Sequence, residues 1–289
     1  MSLRVWLAFL ALCVIWGIPY FFIKKAVLEV SPLIIAWGRL TLGALVLTPI
    51  AWKMGALRNL NKHYGYLVLF AVVELVGPFY LIALGEKWIS SSMAGILLSA
   101  VPLTVLTIAP LMGVKEHVSA RRLVGLAVGL IGVVALLGID SLHSMQEWFG
   151  AGCILLATLG YACGPLIVQR HLNGAHPLGV VAASTVIGSM ILLIPALLSL
   201  PNVFPSVSTI TSVAILGIVC TALGLVLFVY VISNAGASRA AVVTYVNPAV
   251  AVLLGVWILD ERFGLGAGIG LVLILLGCWM ATGGARAAH

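Results

Sequence analysis

Residues 90–136, SSSMAGILLSAVPLTVLTIAPLMGVKEHVSARRLVGLAVGLIGVVAL, have a counterpart in residues 233–280, SNAGASRAAVVTYVNPAVAVLLGVWILDERFGLGAGIGLVLILLGCWM, and that likeness decides the architecture. Each stretch begins Ser/Ala-rich, passes through an apolar run holding a proline, turns at an acidic Glu and ends in a glycine-spaced apolar run. Pro102 falls on Pro248, Lys115-Glu116 on Asp260-Glu261, Gly125 on Gly270 and Gly132 on Gly277, at a shift of 145 to 146 residues. The same shift carries Pro19 onto Pro165, Lys24 onto Arg170 and Ser31-Pro32 onto His176-Pro177. Any one match is chance in a chain with 31 Gly and 12 Pro. The same spacing kept over a whole half marks a duplication.

The solvent of both halves is lipid. Of 289 residues 63% are hydrophobic and only 8% charged, and the mean hydropathy is +1.23. Soluble domains are roughly half apolar and a quarter charged, and could not hide such a surface. A helix needs about 20 apolar residues to cross the hydrocarbon. Cutting at charges and at Gly, Pro and Asn clusters gives spans over 5–23, 33–52, 65–84, 89–112, 122–138, 150–168, 178–199, 208–231, 240–258 and 264–282, of which 89–112 and 208–231 are the least apolar. Each half holds five, an odd number, so the second copy enters the membrane from the opposite side. The expected fold is an all-α polytopic membrane protein of ten transmembrane helices in two inverted five-helix repeats, 1–145 and 146–289. Inverted repeats suit alternating access. They also occur in channels, and a duplication can persist for packing alone.

Charge sets the orientation and narrows the function. With the N-terminus inside, the inner segments carry Arg4, Lys53, Arg58, Lys62, Lys115, Arg121, Arg122, Arg170, Arg239 and Arg286. The outer segments carry Lys24, Lys25, Lys87 and Arg262, ten against four, with Arg39 inside a span. The positive-inside rule then places both termini in the cytoplasm. The net charge of +7 records that bias; no basic run exceeds two residues, which argues against a nucleic-acid partner. The opening MSLRVWLAFLALCVIWG resembles a signal peptide, but no small-x-small site follows and the run continues through Pro19, so it reads as a retained first span. Cys13, Cys153, Cys163, Cys220 and Cys278 all fall in apolar stretches, an odd set without C-x-x-C that suggests neither disulfides nor zinc. Without HExxH, a G-x-S-x-G elbow or a phosphate loop, the chain reads as a non-enzyme requiring no cofactor or metal.

WGIPYFFIKKA (16–26), SPLIIAWGRL (31–40) and residues 90–136 resemble the first repeat of the drug/metabolite transporter superfamily, EamA type, and residues 233–280 the second. The resemblance covers nearly the whole chain. It implies ten helices in inverted repeats, cytoplasmic termini, a bacterial inner membrane and export of small metabolites. The aromatic amino acid exporters are the nearest branch it suggests. The expected partners are therefore a small-molecule substrate and the bilayer; drugs or other metabolites are the alternative cargo, and a channel or membrane-embedded binding protein the alternative class.

Candidate site residues follow from polarity in the wrong solvent. Glu74 lies mid-span, where an ionisable group costs on the order of 2.5–3.5 kcal/mol and must face a cavity or a partner. It suits a substrate ammonium or a coupling proton; a protonated acid bonded to a neighbouring helix is the plainer reading. Trp16, Tyr20, Trp37, Phe79, Tyr80 and Tyr161 offer aromatic faces for substrate, though Tyr and Trp also favour membrane interfaces. Trp6, Trp52, Trp88, Trp148 and Trp279, near span ends, read as that interfacial belt. Tyr245 and Asn247 before Pro248, and Ser99 before Pro102, are further polar candidates. Pro78, Pro102 and Pro248 each free a backbone carbonyl and could serve as hinges or as static kinks. Lys24 and Arg170, at equivalent places on opposite faces, and the deeper Arg39 are candidates for gating or steering a carboxylate, with snorkelling the default for the first two. Reporter fusions should report both chain ends on the cytoplasmic face; ends on different faces would remove the inverted ten-span reading.

Overall fold

Hydrocarbon offers the backbone no hydrogen-bonding solvent, so a chain this apolar has to close its hydrogen bonds within its own helices. The computed structural model describes residues 2–58, 60–113, 120–139, 142–235 and 243–282, apart from the side chains at positions 61, 138, 139, 245, 281 and 282. Its described regular structure is wholly helical. We number ten segments. In the first half, α1 comprises Leu3–Gly17 and Pro19–Ala26, α2 is Pro32–Lys53, and α3 runs through Tyr64–Phe70, Ala71–Val76 and Gly77–Gly85. The fourth, α4, comprises Ser91–Leu98 and Val101–Ile108, and α5 is Ala120–Ile139. In the second half, α6 is Met145–His171, α7 is Pro177–Leu197, and α8 runs through Val207–Ala214, Ile215–Leu223 and Gly224–Ala235. Last come α9, Val243–Ile258, and α10, Leu265–Thr282. Eight helices, from Leu3–Ala26 to Val207–Ala235, are long and apolar enough to cross a membrane, and the apolar helices Val246–Ile258 and Leu265–Met280 complete the ten. The expected all-α polytopic class holds.

Local chemistry explains where helices begin. Ser31 caps α2, its Oγ accepting from Ile34 N at 3.4 Å, and Pro32 follows at the first turn. His176 caps α7 through Nδ1, accepting from Leu178 N at 3.3 Å, with Pro177 next. The Ser-Pro and His-Pro pairs that coincide in the two halves therefore do the same job: a side-chain acceptor, then a residue without an N–H to leave unsatisfied. Ser90, Ser144 and Ser206 cap α4, α6 and α8 likewise, Ser144 with Glu147 in a reciprocal box. Exposed apolar side chains such as Leu45, Val134, Ile194 and Trp257 suit a lipid-facing surface. The five belt tryptophans are all exposed.

The pairing of helices is reciprocal between the halves. Helix α5 packs on α10, α2 on α7 and α4 on α9, each against its own counterpart. Further contacts come in exchanged pairs: α1 touches α8 and α9 as α6 touches α3 and α4, and α2 touches α8 as α7 touches α3; α4 also touches α10. This is the pattern of an isologous interface. Glycine sets its closest approach. A Cβ on Gly132 would lie 3.0 Å from Gly270 O, and one on Gly277 would lie 2.6 Å from Gly125 O. Exchanging Gly132 for Gly277 and Gly270 for Gly125 turns the first contact into the second, so the packing obeys the register read from sequence.

Two features depart from uniform helix. Residues 71–76 and 215–223 are π-helical, and the shift of 145 lays the first on 216–221. The prolines, by contrast, behave differently in the two halves. The chain breaks before Pro19 and before Pro102, but helix runs on through Pro165 and Pro248. Hinges or static kinks were the expectation at Pro102 and Pro248; the helix is interrupted before the first and continuous through the second. The α5–α10 seam supplies a stability test. Gly277→Leu, whose Cβ would meet Gly129 N at 2.5 Å, should destabilise the protein by about 1–3 kcal/mol in thermal unfolding. Gly152→Leu, with open space around its Cβ, should leave it unchanged.

Candidate functional site

Each π stretch turns a polar side chain into the interior, Glu74 from α3 and Thr221 from α8. π turns of this kind are frequent at functional sites. On α8, Thr221 Oγ1 donates to Leu216 O, five residues back, at 2.9 Å, and Trp16 Nε1 of α1 donates to Cys220 O at 3.2 Å. The α8 π stretch is thus stitched to the first half. Trp16 also lies 4.8 Å from the Phe228 ring and against Gly224, filling the seam between α1 and α8.

Arg39 projects from α2 into this centre and is 8% exposed. Its Nε donates to Thr221 Oγ1 at 2.8 Å, and its guanidinium carbon sits 3.7 Å from the centroid of Phe79 on α3. Its partners among the described residues are a hydroxyl and a ring face. A guanidinium is weakly hydrated and stacks on aromatic faces, which makes this tolerable where an ammonium would not be. Tyr20 and Tyr161 lie within electrostatic reach of Arg39. Phe79, Tyr80, Trp37 and Tyr161 border one apolar cluster with Leu40 and Leu75.

Glu74 stands in the α3 π stretch, across from α6. Its Oε2 is sealed from solvent with no hydrogen-bond partner among the described residues. A Cβ added to Gly164 would come within 1.8 Å of Oε2, so the carboxyl lies directly on the α6 glycine and only glycine leaves room. Tyr161, one turn before Gly164, is within electrostatic reach of Glu74 as well as Arg39. Trp37 Nε1 is also buried without a partner among the described residues. The centre therefore holds one cation, one carboxyl and a buried donor, framed by aromatic rings from α1, α2, α3 and α6.

Other expected residues lie apart from this centre or are occupied. Ser99 is buried with its hydroxyl donated to Ile96 O at 2.6 Å. Asn247, with its amide oriented to satisfy its neighbours, donates to Val243 O at 3.0 Å and Cys13 O at 3.3 Å. The Tyr245 side chain lies outside the described residues, as do Lys115 and Glu116. Pro78 opens the regular helix immediately after the π stretch, and Pro102 opens the second piece of α4. Lys24 Nζ donates to Glu86 O at 2.7 Å and Ile89 O at 2.8 Å, while Arg170 Nη1 reaches Met112 O at the other end of the bundle. The sequence reading missed Thr221, which no pattern marks, and Glu86, which sits beside Lys87 like an ordinary loop acid yet is fully buried. It also missed two carboxylates that span the halves. Glu29 Oε2 accepts from Ser206 N and Oε1 from Ser206 Oγ, both at 2.7 Å, and Glu261 accepts from Ser91 and Ser92. The Ser206 backbone N–H, then its hydroxyl, holds Glu29 below the usual carboxylate range. The five cysteines form no disulfide, and no metal-ligand cluster occurs among the described residues.

A model of the EamA-like transporter family matches residues 3–138 and again residues 148–283. Similar proteins include the uncharacterized transporter YoaV of Bacillus subtilis (strain 168), 22% identical over 96% of this chain and 97% of that one. An uncharacterized transporter of Archaeoglobus fulgidus is 27% identical over 97% of this chain and 99% of its own length. The uncharacterized inner membrane transporter YedA of Escherichia coli (strain K12) is 29% identical over 86% of this chain and 80% of its own. One crystal structure of a protein shares the fold with a TM-score of 0.69 at 18% identity, covering 99% of each chain.

The Arg39–Thr221 bond ties α2 to the α8 π stretch and can be measured alone. A double-mutant cycle with Arg39→Met and Thr221→Val should give a coupling of about 0.6–2 kcal/mol in thermal unfolding. Additive effects would mean the bond contributes nothing.

Proposed function

This chain belongs to the EamA-like transporter family and is a multi-pass membrane transporter rather than an enzyme, and on that premise we propose that it exports amino acids with aromatic or other apolar side chains. The observation that carries the reading is that Arg39 and Glu74, on neighbouring helices, each lie within electrostatic reach of Tyr161 in an interior framed by aromatic rings, with neither held in an ion pair among the described residues. A zwitterion needs a cation for its carboxylate and an anion for its ammonium. The free Oε2 of Glu74 suits the ammonium, Arg39 suits the carboxylate, and Tyr20, Trp37, Phe79, Tyr80 and Tyr161 suit an apolar or aromatic side chain. A phosphorylated substrate would require several cations, and Arg39 is the cation placed here.

In this reading residues 1–145 and 146–289 are inverted repeats enclosing a central cavity. Rocking of one against the other exposes the site to each face in turn. Pro78 and Pro102 would absorb the bending on the first-half side, and Pro248 on the second once its helix breaks. The positive-inside distribution and the inner-membrane relative support a cell inner membrane with both termini cytoplasmic.

The test is counterflow of labelled amino acids in proteoliposomes. Phenylalanine, tyrosine, tryptophan and leucine should exchange saturably; exchange of sugars or drugs alone would refute the substrate class, and non-saturable flux would indicate a pore. Glu74→Gln should insert normally and lower the exchange rate at least about tenfold, the loss of about 1.4 kcal/mol of ammonium binding. Gly164→Ala should do the same with Glu74 intact, because its Cβ displaces the carboxyl. Unchanged exchange in both would remove Glu74 from the site.

A further inference from the structure

Adjoining the central site, whose Tyr20 and Arg39 reach it, a second group of charges lies toward the end of the bundle formed by the loops after α1, α3 and α9. Helix α9 stops at Ile258, and Asp260, in the left-handed region at φ 53°, turns the chain back so that Glu261 N donates to Gly255 O at 3.0 Å. That reversal throws the Glu261 side chain across the seam onto the first half. Its Oε1 accepts from Ser91 N at 2.7 Å, and its Oε2 from Ser92 N at 3.0 Å and Ser92 Oγ at 2.6 Å. The carboxylate thus seats on the first two N–H groups of α4, where a helix favours an anion. Gly255 makes the seat possible: a Cβ there would lie 2.3 Å from both Glu261 Oε2 and Ser92 Oγ.

Behind this seat is Glu86, wholly inaccessible, with neither carboxyl oxygen hydrogen-bonded among the described residues. The groups facing it are Lys24 and Tyr20 from α1, Arg39 from α2 and Glu261 from the α9–α10 loop. Lys24 is committed elsewhere, its ammonium donating to the Glu86 and Ile89 carbonyls. Burial drives the Glu86 carboxyl well above the usual carboxylate range; Lys24 opposes this, Glu261 reinforces it, and Arg39 opposes it less. A metal cation would need several oxygen ligands, and the nearby carbonyls already hold an ammonium. A proton needs one oxygen.

We propose that Glu86 is a proton-binding site sealed by a latch, the Glu261 carboxylate on the α4 N-terminus, and that opening this end of the bundle wets Glu86 and releases its proton there. With the latch shut, the neutral acid is the form that tolerates a dry site without hydrogen bonds. With the latch open, water stabilises the carboxylate. The sign follows: the closed form binds the proton more tightly, so acid favours closure and rising pH favours opening. One such group changes the open-to-closed ratio by up to about tenfold per pH unit between its two affinities. Proton release would thereby be tied to exposure of the central site at this face. The inference rests on the carrier reading for the existence of an open form.

Its test uses no transported solute, so its failure is separable from failure of the amino acid assay. Spin labels on Lys87→Cys and Arg262→Cys, both at exposed positions flanking the seat, with Cys163→Ala to remove the half-buried thiol, report the gap in lipid nanodiscs. A longer distance should grow in as pH rises from about 5 to 9, up to about tenfold per unit. Glu86→Gln should abolish that dependence, and Gly255→Ala should populate the long distance even at low pH. A distribution that ignores pH in the otherwise unaltered protein, or a Glu86→Gln variant that titrates unchanged, overturns the proposal. Should Glu86→Gln not fold, infrared spectra in a Glu74→Gln background decide the matter. A protonated-carboxyl band that bleaches with the midpoint of the distance change supports the site, and its absence refutes it.

Discussion

A charge or an unpaired backbone group inside hydrocarbon must find its partner within the protein, and here the partners are supplied across the seam between the halves. Arg39 of α2 reaches Thr221 of α8, Trp16 of α1 reaches Cys220 O, and Glu261 of the α9–α10 loop reaches the start of α4. Glu29 of the α1–α2 loop caps α8 in the same manner. Where the bond is buried, as between Arg39 and Thr221, it binds one half to the other rather than to solvent. The seam is therefore both the polar interior of the molecule and the surface along which it could slide. Apolar contact with lipid tails gives little preference for one helix neighbour over another, which leaves small-residue packing and these few polar bonds to define the arrangement.

Much of this was legible in the chain itself. The Ser31-Pro32 and His176-Pro177 pairs signal helix starts by capping chemistry, and their spacing shows the duplication before any contact is known. Gly132 and Gly277 coincide in sequence and then meet Gly270 and Gly125 in an exchanged pair. Glu74 announced itself because a carboxyl in mid-span is costly wherever it points. What stayed hidden has a common cause. A π turn arises from one extra residue in an otherwise ordinary apolar run, and LVLFAVVELV carries no mark of it. Arg39 reads from sequence as a candidate for gating or steering a carboxylate, and the choice of Thr221 and Phe79 depended on which helices became neighbours. Glu86 and Glu261 read as loop acids, because local sequence does not report that a loop is folded under a neighbouring one.

The halves share a pattern without sharing a conformation. Pro19 and Pro102 follow breaks where Pro165 and Pro248 do not, and Lys24 holds two carbonyls of its own half while Arg170 reaches one in the other. The two π stretches also carry different chemistry, Glu74 in one and Cys220 with Thr221 in the other. Two copies of one fold in a reciprocal interface cannot both take the broken form and both the straight form at once; in this structure the first half takes the break at these prolines and the second does not. A solute bound between Arg39 and Glu74 would touch a π stretch through each of them, directly on α3 and through Thr221 on α8. Binding at the centre would then act on one element of each half at once, and differential contact with the two across conformations is the physical requirement for a ligand to bias such an equilibrium.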